Sequence, residues 1–74
     1  MRNEALIATR KQSGKTQKQV ATETDIATIA YQNYERGTRT PVVTTAIRIA
    51  DALGVKDVRE LWGVSMTQTT ANAR

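Results

Sequence analysis

The chain has 74 residues and carries a net charge of +4, from 11 Lys and Arg against 7 Asp and Glu, with no cysteine and no histidine. Such a length supports one domain with a small core, and the missing residue types exclude disulfide frameworks, zinc fingers, thiol nucleophiles and histidine-based proton transfer. No apolar run approaches the roughly 18 residues of a membrane span or the 7 or more of a signal-peptide core, so a cytoplasmic protein is expected, and the basic excess favours a polyanionic partner such as nucleic acid.

Apolar residues recur at the helical period, and β-branched stretches bounded by turn pairs are missing, so the fold expected is all-α with five short helices. The first should run over residues 3–13, with Leu6 and Arg10 one turn apart and Gly14 in the left-handed position that follows a helix. Thr16 and Gln19 form a capping box for the second, in which Val20 and Ala21 face inward while Gln17 and Lys18 occupy the exposed first turn. The third is expected over residues 28–36, because Tyr31, Tyr34 and Ala27 are spaced to share one face. That spacing favours packing over base stacking for the two tyrosines. Thr40 and Pro41 read as N-cap and first residue of the fourth helix. Its apolar face would be Val43, Ile47, Ala50 and Leu53, with Gly54 at its end. Asp57 and Glu60 can cap a short fifth helix bearing Val58, Leu61 and Trp62. The domain is placed at residues 1–64, and residues 65–74, with almost nothing to bury, are expected to be a disordered tail.

Ser13-Gly14-Lys15-Thr16 imitates the end of a phosphate-binding loop. However, Thr9 stands where that loop needs its first glycine, and a helix precedes it instead of a buried strand. The informative segment is Thr16-Gln17-Lys18-Gln19-Val20-Ala21, then a short turn, Tyr31-Gln32-Asn33-Tyr34-Glu35-Arg36-Gly37 and Arg39-Thr40-Pro41. With Ala52-Leu53-Gly54-Val55 it resembles, over about residues 5–63, the XRE family, the phage-repressor and Cro type of helix-turn-helix with a lambda-repressor-like domain.

Residue chemistry agrees with that resemblance. Two helices joined by a short turn present their N-termini to one surface, where free amides bind phosphate oxygens. A DNA major groove admits a helix; Gln and Asn pair bidentately with adenine, and apolar groups meet the thymine methyl. The open face of the third helix offers Thr28, Ile29, Gln32 and Asn33.

The resemblance implies base reading by Gln17, Thr28, Ile29 and Asn33, and a loop carrying Arg36, Thr38 and Arg39 along the phosphate backbone. Lys18 and Lys15 add charge near the second helix N-terminus. It also implies an ion pair between Arg10 and Glu35 that ties the first helix to the third. The chain departs from the pattern at Thr9 and Lys15, at Thr24-Asp25 in the turn, and at Ala27. Asp25 tolerates a left-handed conformation and could also cap the third helix if that helix began early.

The function expected is a sequence-specific regulator of transcription that binds double-stranded DNA, a repressor acting as a homodimer on a palindromic operator. The dimer contact is assigned to Val58, Leu61, Trp62 and Val64. An antitoxin or antirepressor that sequesters another factor and binds DNA weakly is the alternative. No catalytic site, metal, cofactor, small-molecule ligand or membrane partner is expected.

Overall fold

A computed structural model describes residues 2–63. Regular structure among the described residues is helical: α1 (Glu4–Gln12), α2 (Gln17–Glu23), α3 (Thr28–Arg36), α4 (Val43–Ala52) and α5 (Arg59–Trp62). Local signals set most of these boundaries. The Asn3 carboxamide accepts from the Leu6 amide at 3.0 Å and starts α1. At α2 both halves of the capping box form, the Gln19 amide donating to Thr16 Oγ1 at 3.0 Å and the Thr16 amide to Gln19 Oε1 at 2.7 Å. Asp25 is the turn residue between α2 and α3, at a φ of 60°, in the left-handed region that Asp enters more easily than most side chains. It does not also cap α3. That helix begins at Thr28 after an extended Ala27 that contributes no side-chain bond, at the position the sequence spacing gave for its start.

Leu6 of α1, Val20 and Ala21 of α2, Tyr31 of α3, Ile49, Ala50 and Leu53 of α4 and its end, and Leu61 of α5 form one buried cluster. Ile26, Tyr34, Val55, Val58 and Trp62 close around it, partly buried. Thr24 is buried as well, its hydroxyl donating to the Val20 carbonyl at 2.7 Å. A polar group is thereby satisfied where the chain leaves α2.

Several expectations from the sequence need correction. Ala27 is exposed and lies outside the core. The fourth helix starts not at Pro41 but at Val43, after an extended Val42. Pro41 is buried, so its ring serves packing rather than the first helical turn. The buried face of α4 is then Ala46, Ile49, Ala50 and Leu53, and Ile47 points outward at 45% exposure. Ala46 and Ile49 continue the i, i+3, i+4 stripe through Ala50 and Leu53 as well as Val43 and Ile47 would. Periodicity alone could not choose between these faces.

Asp57 does cap α5, but through the Arg59 amide at 2.9 Å and its guanidinium at 2.8 Å rather than by a box with Glu60. Val64 and the tail assigned to residues 65–74 lie outside the described residues. Among the described residues, no helix is long and apolar enough to cross a membrane.

Candidate nucleic-acid interface

Helix α3 is built with two unlike faces. Inward it carries Tyr31, with no exposure, and Glu35, at 4%. A buried carboxylate is costly unless it is paired and hydrogen-bonded. Here Arg10 reaches it from α1, Nε donating to Oε2 at 2.6 Å and a terminal nitrogen to Oε1 at 3.4 Å, in the geometry of a two-pronged guanidinium–carboxylate pair. The Arg10 and Glu35 side chains retain 13% and 5% exposure. The remaining Arg10 prong donates to the Lys15 carbonyl at 3.0 Å and so anchors the α1–α2 connection.

Burial alone would raise the Glu35 pKa. The groups that hydrogen-bond to it, Arg10 first and then the Gln17 amide, outweigh that penalty and hold it below the usual carboxylate value. The carboxylate acts in turn on its neighbours: together with burial it pushes the Tyr31 hydroxyl well up, and its hydrogen bond raises the Arg10 guanidinium despite desolvation.

From this buried pair the network runs outward. Gln17, half-buried at the first turn of α2, donates its Nε2 to Glu35 Oε1 at 2.9 Å. Gln32 of α3 donates its Nε2 to Gln17 Oε1 at 3.3 Å. The N-terminus of α2 and the middle of α3 are thus joined by side chains, and a notch opens between them, lined by Arg2, Ile7, Gln17, Gln32, Glu35 and Arg36.

The outer face of α3 holds the residues picked out in the sequence. Ile29 is 58% exposed, Thr28, Gln32 and Asn33 are half-exposed, and among the described residues the Asn33 carboxamide has no hydrogen-bond partner. Arg36, Thr38 and Arg39 are exposed at the end of α3 and in the loop beyond it, and Lys18 is exposed on α2. Gly37 makes the turn into that loop, its amide and that of Thr38 satisfying the carbonyls of Tyr34 and Asn33. The structure therefore brings Gln17, Thr28, Ile29, Gln32, Asn33 and Arg36 to one side of the molecule on α2 and α3.

Lys15 is different. Its Nζ is committed to Glu23 Oε1 and to the Ala52 carbonyl at the end of α4, both at 2.7 Å. It braces α2 against α4 and is not part of the cationic rim. Leu61 is likewise spent inside the domain, at 4% exposure, which leaves Val58 just before α5 and Trp62 at its end as the partly covered apolar residues there.

Sequence reasoning missed Asn3. Its backbone amide donates to the Glu35 carbonyl and its Nδ2 to the Leu61 carbonyl, both at 2.8 Å, so one residue joins α1, α3 and α5. A cap at position 3 was legible from residue type, but a bond spanning 58 positions has no local signature.

The family model for helix-turn-helix proteins matches residues 6–61. The chain is also similar to the cryptic phage CTXphi transcriptional repressor RstR of Vibrio cholerae serotype O1, with 40% identity over 60 residues that make up 81% of this chain and 53% of that protein. The chain thus spans about half the length of this relative. No solved structure gives a significant match.

Proposed function

This chain belongs to the helix-turn-helix family, of the XRE type; on that premise we propose that it is a DNA-binding transcription regulator, a repressor that occupies a palindromic operator in the cytoplasm as a homodimer. The observation that carries this reading is the asymmetry of α3. A helix whose inner face is clamped by a buried ion pair leaves on its outer face a large aliphatic residue, Ile29, in the open between polar side chains. Beside Thr28 and Asn33 this isoleucine suits a groove that offers thymine methyls and adenine edges.

In this proposal α3 enters the major groove. Thr28, Ile29, Gln32 and Asn33 meet base edges, with Gln17 at the margin, while Lys18, Arg36, Thr38 and Arg39 hold the flanking phosphates. Two copies related by a twofold axis would place their α3 helices about one DNA turn, roughly 34 Å, apart. Val58, just before α5, and Trp62 at its end are the apolar surface for that contact, and Leu61 supports it from inside. Repression would follow from excluding polymerase or a competing regulator at overlapping sites. The similarity to a phage repressor supports this direction of control.

Selection of bound sites from a random duplex library tests the proposal. An enriched sequence with inverted symmetry, bound with steep salt dependence, is the expected outcome; recovery of no enriched sequence would defeat it.

A further inference from the structure

The hydrogen bonds that link the buried ion pair to the reading face have a direction, and the direction has a consequence for the base that is read. Glu35, held ionised by Arg10, can only accept hydrogen bonds. Gln17 must therefore turn its NH2 toward Glu35, as it does at 2.9 Å, and this points its carbonyl oxygen at Gln32. Gln32 in turn must offer its own NH2 to that oxygen, at 3.3 Å. A glutamine carboxamide is otherwise free to turn over and exchange donor for acceptor. Here each orientation is dictated by the group behind it, back to a carboxylate that is 4% exposed.

We propose that the chain Glu35–Gln17–Gln32 is a polarity relay that fixes Gln32 with its carbonyl oxygen outward, making Gln32 a specificity-determining residue for an exocyclic amino group, adenine N6 or cytosine N4, on the strand it faces. Gln17 is then a positioning residue whose effect on base choice passes through Gln32. The inference rests on the DNA-reading function proposed above. Every Watson–Crick pair shows an amino group on one strand and a keto oxygen on the other in the major groove. What the relay selects is therefore the orientation of a pair: A or C on the strand facing Gln32, against T or G.

The test uses the selected operator and duplexes in which each base pair is reversed in turn, bound by the wild type, Gln17→Met, Gln32→Met and the double variant. The wild type should prefer one orientation about tenfold at one symmetric pair of positions. Gln32→Met should abolish that preference, and Gln17→Met should reduce it to about twofold, because an unheld carboxamide presents either end. Any general loss of affinity divides out of the ratio between the two orientations. In the Gln32→Met background, Gln17→Met should change the ratio no further. A preference at that position that stays near tenfold in Gln17→Met would overturn the relay, as would the absence of any position that responds to Gln32→Met.

A measurement without DNA separates the relay from the function. In the free protein, the side-chain amide proton that Gln32 donates to Gln17 should exchange slowly with solvent, and in Gln17→Met at the ordinary rate. Ordinary exchange in the wild type would overturn the relay. Slow exchange in a protein that selects no duplex would overturn the DNA-reading function, and the base assignment with it.

Discussion

The half of the molecule around α2 and α3 and the half formed by α4 and α5 are held in different ways. The first is fastened by directional bonds: a two-sided capping box, a left-handed Asp25, and the chain of donors that ends on Glu35. In the second, Ala46, Ile49, Ala50 and Leu53 pack chiefly by shape, the directional bonds reaching it only at the Ala52 and Leu61 carbonyls, and neither α4 nor the preceding loop supplies a side-chain cap. Directional bonds hold a surface to a fixed geometry, which the reading of bases requires. Shape alone suffices for a support.

The largest expected effect breaks the first half at its buried end. Glu35→Ala strands the Arg10 guanidinium, at 13% exposure, and should cost about 3 to 5 kcal/mol. For a domain this small, each kcal/mol lowers Tm by roughly 4 to 8 °C. Glu23→Ala removes a partner that is 44% exposed and should cost less than about 1 kcal/mol, so a thermal melt of both variants checks the contrast. The same pair sets the acid limit. With the folded pKa of Glu35 depressed, the unfolded chain binds the extra proton. This contribution is complete above the ordinary value of 4.5 and fades as pH falls below it toward the folded pKa. A stability profile measured in denaturant should lose part of its acid slope in Glu35→Gln.

In the second half the contrast lies between neighbours on α4. Ile49→Ala opens a void in the cluster and should cost about 2 to 4 kcal/mol, whereas Ile47→Ala, at a position 45% exposed, should cost less than about 1 kcal/mol. Equal losses in urea unfolding would return the core to the face that the sequence spacing suggested.

A binding comparison sharpens the division on the outer surface. Asn33→Ala should cost ~1 to 3 kcal/mol of discrimination at one symmetric pair of operator positions. Arg39→Ala should weaken all duplexes alike and reduce the salt slope by about one. Titrations against single-base variants at two or more salt concentrations separate the two patterns.

The smallest effect concerns the turn. Asp25→Ala places a side chain without a local hydrogen-bonding option at a φ of 60°, for about 1 kcal/mol of destabilisation, while Asp25→Gly should hold or raise Tm.

The same division explains what could be read in advance. Thr16 with Gln19, Gly14 and Asp25 are local instructions, and the structure follows each of them. The Arg10–Glu35 pair came from the resemblance rather than from spacing, and it forms at 2.6 Å. Thr40-Pro41 misled because Pro41 satisfies a packing need instead of a helical one. Ile47 misled because a ten-residue helix of small and apolar residues offers two plausible stripes. Lys15 looked like phosphate-binding charge until α4 supplied the Ala52 carbonyl, a partner 37 positions away. On the outer face of α3 the side-chain types and their positions along the helix were legible. The donors and acceptors they expose were not, because those follow from contacts that only the folded chain makes.

Asn3 carries a consequence for the way the domain opens. A four-residue helix such as α5 has no stability of its own, since nucleation alone outweighs the bonds it can form. Its Leu61 carbonyl is tied through Asn3 to the start of α1 and the end of α3, so α5 cannot detach without releasing both. Native-state hydrogen exchange should therefore show the amides of Asn3, Leu6 and Leu61 opening together in one cooperative unit, with the chain's first helix and last described helix sharing a single free energy of release.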